Sequence, residues 1–229
     1  MLDLRLLCQT LWDFVRSMCV LHSRGPCITV FGSARIGEGA PLYQVARELG
    51  RSLAAAGFTV MTGGGPGLME AANRGAKEAG GRSLGCRMHF AFEQTMNHHL
   101  DRSATVRHFF VRKVLMCRQA AGFAVLPGGI GTLDELFEIV ALIQTQKMRA
   151  KPVVLIGTTY WRPLVVMLEG LVAAGTVASH DLALIKVTDD IGEAVATLAA
   201  RAPRPRLGPT ANRRQSQADW RLHPDAGVE

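Results

Sequence analysis

Residues 123–143, which read FAVLPGGIGTLDELFEIVALI, decide the fold. A run of four apolar residues is followed by a glycine-rich turn, and the turn by apolar side chains at helical spacing, at Leu136, Ile139, Val140 and Ile143. A short apolar strand joined to an amphipathic helix in this way is the repeating unit of parallel α/β sheets. The stretch therefore predicts one βα unit, with the glycines at the carboxyl end of its strand.

The same alternation extends over most of the chain. Apolar runs and helical patterns follow one another, and Gly57 and Gly175 stand where glycines end helices. This order predicts a single α/β domain over residues 25–202, a Rossmann-like, doubly wound parallel sheet with helices on both faces. Residues 87–110 fit the alternation less well and are predicted to form a long irregular loop at the carboxyl edge of the sheet. The predicted strands are residues 28–31, 58–61, 83–86, 123–126, 153–156 and 183–187.

Two terminal segments lie outside this pattern. Residues 1–24 predict an amphipathic helix that packs on the domain or on a partner subunit, because their apolar residues form one stripe. After residue 202 the composition changes to Pro, Arg, Gln and Ser without periodicity, so residues 203–229 are predicted to be a flexible basic tail. The stripe consists of Leu4, Leu7, Leu11, Phe14 or Val15, and Met18.

Composition excludes several classes of protein. The hydrophobic fraction of 48% and the charged fraction of 20% are those of a globular chain, and no apolar stretch is long enough to predict a membrane-spanning helix. The net charge is +7, but residues 201–229 carry six of the arginines, and aromatic residues are only 6%. A basic tail in solvent fits this better than a nucleic-acid surface, so we expect neither a membrane nor a nucleic-acid partner.

The cysteines predict neither a disulfide framework nor a zinc site, because their number is odd and no pair has C-x-x-C spacing. Most of them stand among apolar residues, which predicts buried, reduced thiols and a protein of the cytoplasm. They are Cys8, Cys19, Cys27, Cys86 and Cys117.

Three glycine-bearing turns follow predicted strands, at Gly32-Ser33, at residues 63–67 and at residues 127–132. Glycine lets a backbone approach a ligand closely, and the first amides of a helix attract anions. Turns that follow the strands of a doubly wound sheet meet in one crevice. The sequence thus predicts a nucleotide-phosphate cradle centred on the third turn, where Thr132 adds a hydroxyl, rather than glycines that serve tight turns alone.

The glycines do not predict a dinucleotide site or an ATPase. The pattern G-x-G-x-x-G is absent, since position 68 is Leu, and no turn ends in Gly-Lys-Ser or Gly-Lys-Thr. No cofactor is expected.

One carboxylate and one basic pair accompany the third turn. Glu135 lies three residues past Thr132, in the first turn of a helix predicted to begin near Thr132. A helix start that points at a phosphate would also direct this carboxylate into the crevice, beside a sugar. Its neighbour Asp134 is explained by the helix dipole alone. Arg112-Lys113 begin a helical stretch upstream, and an arginine there can hold phosphate or sugar oxygens in a fixed fork.

Together these motifs resemble those of the LONELY GUY family, the cytokinin riboside 5′-monophosphate phosphoribohydrolases. Residues 127–135, PGGIGTLDE, match the family's P-G-G-x-G-T-x-x-E motif, and Arg112-Lys113 stand at its Arg-Lys pair. Residues 63–73, GGGPGLMEAAN, are similar to its other glycine loop, and residues 31–33, FGS, to the end of its first strand. The resemblance covers residues 27–195.

The resemblance implies hydrolysis of the N-glycosidic bond of an adenosine 5′-monophosphate, either AMP or an N6-substituted cytokinin form, to a free base and ribose 5-phosphate. It implies Arg112 and Glu135 as the catalytic pair, and a homodimer or homohexamer of the longer variety of the family. Ala141 stands where the family has a substrate-contacting Thr. Taken with the glycine turns, the resemblance also implies a set of substrate and phosphate contacts. They are Gly32, Ser33, Gly64, Gly65, Glu93, Lys113, Gly128, Gly129, Ile130, Gly131 and Thr132.

Two other functions stay open on the sequence. A non-catalytic carrier of a nucleotide or of the molybdenum cofactor would use similar turns, but it has no need of a carboxylate at the sugar. A metal-dependent hydrolase could use His98, His99 and Asp101, but their spacing favours a polar loop. No metal site is predicted.

Similar sequences are also labelled lysine decarboxylases, and no lysine context here indicates a bound pyridoxal group.

Overall fold

The computed structural model describes residues 4–23, 25–89 and 97–201. Seven strands in this part of the chain form one sheet in which every pairing is parallel. In spatial order the sheet runs β4-β3-β2-β1-β5-β6-β7. The strands are β1 Cys27–Phe31, β2 Thr59–Thr62, β3 Ser83–Met88, β4 Arg102–Val106, β5 Ala120–Val125, β6 Val153–Ile156 and β7 Ile185–Thr188.

Helices cover both faces of the sheet, as a doubly wound fold requires. Two clusters of buried apolar side chains fill the space beneath them: α2, α3 and α8 enclose one cluster, and α4, α5 and α6 enclose the other together with α1. The helices are α1 Leu4–Val20, α2 Pro41–Ala55, α3 Leu68–Glu78, α4 Phe109–Gln119, α5 Ile130–Gln144, α6 Thr158–Ala173, α7 Ser179–Leu182 and α8 Ile191–Arg201. The Rossmann-like fold predicted from the sequence is confirmed.

One strand was missed by the sequence prediction. Residues 102–106, which fall in the predicted irregular loop, form β4 at the edge of the sheet. Only Ala104 and Val106 of this strand are buried, while Arg102, Ser103 and Thr105 are exposed. A half-exposed edge strand with two small or medium apolar residues gives a weak hydrophobic pattern, and its pairing with β3 supplies the rest.

The order of the strands reverses between β1 and β5, which places the turns that follow them side by side. Ser33, after β1, ties all three glycine turns together. Its N–H donates to the carbonyl of Pro127 in the third turn at 3.0 Å, and its carbonyl accepts from the N–H of Leu68, after the second turn, at 2.9 Å. The three turns therefore meet at the carboxyl edge of the sheet, as the sequence predicted.

Helix α1 forms where the amphipathic pattern predicts it and packs on β4 and α4, but most of the predicted stripe lies outside that contact. Phe14 of the stripe contacts the core together with Val20 and Leu21, whereas the other members of the stripe are exposed, from 36% at Met18 to 67% at Leu4. The helix thus packs on the domain, and the packing of its exposed stripe on a partner subunit remains a prediction. None of the described helices is long and apolar enough to cross a membrane.

Three of the cysteines are buried thiols, as predicted. Burial raises the pKa of Cys27 and of Cys86 to about 12 and that of Cys117 to about 11, so all three stay protonated at neutral pH. Cys8 and Cys19 depart from the prediction: they are exposed, because α1 turns that side towards solvent.

Candidate active site

Helix α5 begins at Ile130, directly after the third glycine turn, with Gly129 as its N-cap. The start lies two residues before the predicted one near Thr132, so Glu135 stands in the second turn of the helix rather than in the first. The amides of Thr132 and Leu133 both donate to the carbonyl of Gly129. In the part of the chain that the structure describes, the amides of Ile130 and Gly131 remain for an anion at this positive helix end.

The glycines of the third turn leave open space beside these amides. Gly129 and Gly131 are exposed and have no left-handed backbone angle, and a Cβ added at either would meet no described atom within 4 Å. Neither backbone conformation nor packing within the described chain requires glycine there. A ligand that must approach the backbone does explain both glycines.

The glycines of the second turn have a different reason. Gly64 adopts a left-handed φ of +69°, and a Cβ at Gly65 would lie 2.8 Å from the Cε atom of Met69. A Cβ at Gly63 would collide with Nη2 of Arg112. All three glycines are buried. Their packing shapes the site, and the substrate contacts predicted for Gly64 and Gly65 remain predictions.

The structure brings the two predicted catalytic residues together. Nη1 of Arg112, on α4, lies 2.5 Å from Oε1 of Glu135, on α5, and the two side chains are only 13% and 12% exposed. Nε of the same guanidinium donates to the carbonyl of Cys86, on β3, at 3.0 Å. Three elements of the fold thus fix this ion pair, and the Cys86 carbonyl is a contact that no sequence pattern reveals.

Burial and charge act on Glu135 in opposite directions. Removal of its carboxyl from water raises its pKa, and the adjacent Arg112 guanidinium opposes that rise without cancelling it. The pKa of Glu135 therefore stands above the usual range of a glutamate. A carboxylate with a raised proton affinity, next to a cation, is suited to direct a water molecule or to stabilise a developing positive charge.

Lys113 is bound by two carboxylates of α5. Its ammonium lies 2.8 Å from Asp134 and 2.6 Å from Glu138, both on α5. Burial disfavours its charge, but these two partners raise its pKa overall. Asp134 therefore has a specific partner, which corrects the explanation by the helix dipole alone. The predicted contact of Lys113 with substrate stays a prediction.

A small cleft lies between α4 and α5. The Glu135 carboxylate forms part of its wall, together with buried apolar side chains from β1 and α4. The cleft is lined by Phe31, Lys113, Met116, Cys117, Glu135 and Glu138.

Tyr160 supports the third turn and was missed by sequence reasoning. Its hydroxyl, at the start of α6, donates to the carbonyl of Gly128 at 2.6 Å, and its ring meets that of Trp161 edge-on. The hydrogen bond fixes the orientation of the Gly128–Gly129 peptide, immediately before the free helix amides. A lone tyrosine 32 residues from the turn gives no signal in the sequence.

The other predicted residues lie elsewhere or outside the described part of the chain. Gly32 is buried, and a Cβ there would lie 3.1 Å from Leu68. Glu93 falls outside the described residues. Asp101 accepts from the amide of Ser83 and pairs with Lys77. No group of three potential metal ligands occurs among residues 4–23, 25–89 and 97–201, so nothing in this region assembles His98 and His99 with Asp101.

Comparison with known proteins bears on this geometry. A family model described as "Possible lysine decarboxylase" matches residues 69–198. The chain is also 31% identical, over 175 residues, to the cytokinin riboside 5′-monophosphate phosphoribohydrolase of Rhodococcoides fascians, which covers 75% of this chain and 88% of that protein. The chain belongs to the LONELY GUY family. The protein of the same name from Mycobacterium tuberculosis is 30% identical over 162 residues, 68% of this chain and 84% of its own.

Solved structures extend the family fold to a second kind of protein. The molybdenum cofactor carrier protein from Chlamydomonas reinhardtii is 28% identical and superposes with a TM-score of 0.57, over 77% of this LONELY GUY chain and 98% of the carrier. The fold is thus similar both to enzymes and to a carrier, so the side chains at the site, rather than the fold, must decide between the two functions.

Proposed function

We propose that this protein hydrolyses the N-glycosidic bond of adenosine 5′-monophosphates, AMP or N6-substituted forms, and releases the free base and ribose 5-phosphate. One observation carries the proposal: the nearly buried Arg112–Glu135 ion pair includes a residue of α5, the helix whose glycine-lined N-terminus offers free amides. The names of the curated relatives support the same reaction.

The phosphate binds first in this mechanism. Its oxygens accept hydrogen bonds from the amides of Ile130 and Gly131, where the glycines leave room for it. Glu135 lies five residues after Ile130, about 7.5 Å along the helix axis. A pentose 5-phosphate anchored at the helix end would therefore bring its anomeric carbon towards this carboxylate.

Cleavage of the N-glycosidic bond then depends on stabilising the charge that develops on the sugar. As the bond from C1′ to the base nitrogen breaks, its electron pair goes to the base and positive charge develops on the sugar. The Glu135 carboxylate stabilises that charge and directs a water molecule, whose oxygen adds to C1′. The water gives up a proton, and the departing base takes one up. General acid–base help of this kind contributes about 10²–10⁴-fold to the rate.

Arg112 has two roles that its geometry supports. Its Nη1 positions the Glu135 carboxylate, and its bond to the Cys86 carbonyl fixes the plane of the guanidinium. The remaining N–H groups of the fork can bind ribose or phosphate oxygens.

A panel of substrates tests the proposal. We expect chromatography to detect free base from AMP and from N6-isopentenyl-AMP, and release from adenosine at least about a hundredfold slower, because adenosine lacks the anchoring charge. GMP and CMP serve as controls for the base. Equal rates with AMP and adenosine would contradict the phosphate cradle, and release from neither would contradict the activity.

The hydrogen bond from Tyr160 to the third turn predicts a smaller effect on the kinetic constants for AMP. Tyr160→Phe removes one hydrogen bond to Gly128 but keeps the ring against Trp161. We expect KM for AMP to rise about 3- to 10-fold with kcat nearly unchanged, since the anchor is weakened while Glu135 and Arg112 stay in place. Steady-state kinetics at saturating and limiting AMP would measure both constants. A fall in kcat with an unchanged KM would show that Tyr160 does not act on the anchor.

The likeness to the molybdenum cofactor carrier favours one alternative, a protein that binds a phosphate-bearing cofactor without cleaving it. Such a carrier needs the helix end but has no use for a desolvated Glu135 beside it. If AMP binds and is recovered intact after prolonged incubation, the carrier function replaces the proposed one.

A further inference from the structure

Arg87 is a half-buried cation that no described residue binds. Six lysine and arginine side chains in the described part of the chain are half-buried. Five of them donate to a carboxylate or a backbone carbonyl, whereas Arg87 has no hydrogen bond or ion pair with any described residue. Partial removal of a guanidinium from water is unfavourable unless other acceptors replace the water. The five partnered side chains are Arg47, Arg74, Arg112, Lys113 and Lys151.

Arg87 lies in the crevice, at the carboxyl end of β3. It is the last residue but one of that strand and follows Cys86, whose carbonyl accepts from Nε of Arg112. Its side chain leans towards β2, because a Cβ added at Gly64, in the second glycine turn, would lie 2.7 Å from Cγ of Arg87. A Cβ at the neighbouring Gly63 would meet Nη2 of Arg112. The two arginines therefore flank consecutive glycines of one turn.

The strand order places Arg87 on the far side of the catalytic ion pair from the phosphate site. The third turn follows β5, and β2 and β1 separate β5 from β3, a distance of about 14 Å at about 4.8 Å for each strand spacing. Arg112, bound to Glu135, contacts β3 and the turn after β2. A nucleotide with its phosphate at the third turn and its anomeric carbon at Glu135 would therefore extend its base towards Arg87.

We propose that Arg87 donates hydrogen bonds to ring nitrogens of the base and stabilises the base as it leaves, an inference that rests on the proposed hydrolysis. When the bond from C1′ to the base nitrogen breaks, its electron pair enters the purine ring and makes the ring nitrogens stronger acceptors. A guanidinium has several N–H donors and no acceptor, so it suits a base that gains negative charge. Arg87 keeps its own protons, and the proton that the base takes up comes from water.

The first test compares two bases of different acidity. Arg87→Met keeps an unbranched stem over Gly64 and removes the charge and the donors. We expect kcat for AMP to fall about 10²-fold, because one preorganised donor to a developing charge is lost. The base of 6-chloropurine riboside 5′-monophosphate is more electron-poor and leaves with less help, so its kcat should fall less than about tenfold. An equal loss for both bases would contradict stabilisation of the leaving base.

The matched control is Arg82→Met. Arg82 immediately precedes β3, at the opposite end of the strand from the crevice, and its side chain is exposed. We expect its kcat to stay within about threefold of wild type for both substrates, because an exposed side chain away from the crevice contributes little. Thermal melting of both variants checks that the fold is kept. A loss in Arg82→Met as large as that in Arg87→Met would make the effect one of net charge and overturn the proposal.

Equilibrium binding tests the contact apart from catalysis. In a Glu135→Gln background, calorimetry gives the Kd of AMP and that of ribose 5-phosphate, which lacks the base. We expect Arg87→Met to raise the Kd of AMP about 3- to 10-fold, the value of one hydrogen bond, and to leave the Kd of ribose 5-phosphate unchanged.

Two binding results would overturn the proposal. An equal weakening of AMP and ribose 5-phosphate would place Arg87 at the phosphate, and an unchanged Kd for AMP would remove it from the ligand altogether. If the wild-type protein releases no base from either nucleotide, the proposed hydrolysis fails, and the two Kd values still decide whether Arg87 contacts the base.

Discussion

Replacement of Glu135 by Gln is expected to lower kcat for base release at least about a hundredfold while the Kd for AMP changes little. The amide keeps the size of the side chain and can still accept a hydrogen bond from Arg112. It lacks the negative charge that stabilises the sugar and directs water. The phosphate anchor at Ile130 and Gly131 does not involve this residue, so binding should persist.

The matched control is the neighbouring carboxylate. Asp134→Asn removes a charge one residue away, but that side chain is half exposed and bound to Lys113 rather than to Arg112. We expect its kcat to stay within about threefold of wild type, because a screened surface pair contributes little. Near wild-type base release by Glu135→Gln, or an equal loss in both variants, would contradict the role of Glu135.

A single methyl group at Gly63 is expected to have an effect of similar size. In Gly63→Ala the new Cβ would collide with Nη2 of Arg112 and would lie 2.8 Å from Sδ of Met69. Arg112 is held by Glu135 and by the Cys86 carbonyl, so it cannot move without losing one of these bonds. We expect kcat to fall about 10²-fold, with a loss of stability of only about 1–3 kcal/mol.

The control for Gly63 is Gly37→Ala, where an added Cβ meets no described atom within 4 Å. Neither glycine has a left-handed φ, so both substitutions are compatible with the backbone and differ only in what the methyl group meets. Steady-state kinetics and thermal melting of the two variants separate displacement of Arg112 from a general loss of fold. Wild-type kcat in Gly63→Ala would show that the placement of Arg112 does not limit the reaction.

The fold could be predicted from the sequence because its signal is repeated. Six apolar runs separated by helical patterns allow few arrangements other than a parallel sheet. β4 escaped prediction because only two of its five residues are buried and its stability depends on pairing with β3. The sequence also did not predict which side of α1 packs on the domain. Periodicity shows that an apolar stripe exists, but not which surface covers it.

The site was predictable where chemistry is concentrated in short motifs. The turn at residues 127–132 and the pair of Arg112 with Glu135 could be named before their contacts were known. The contacts that distant residues make with this site could not be predicted. The Cys86 carbonyl has no sequence signature, and Tyr160 contributes one hydroxyl from another helix. The glycines at 63 and 131 are alike in sequence, yet one accommodates Arg112 and the other leaves open space for a ligand.

The most direct test of the account is to identify the products that the purified protein forms from AMP. We predict adenine and ribose 5-phosphate in equal amounts, rising together with time and absent from reactions with Glu135→Gln. Recovery of intact AMP, or the appearance of adenosine with inorganic phosphate, would contradict cleavage of the N-glycosidic bond at Glu135.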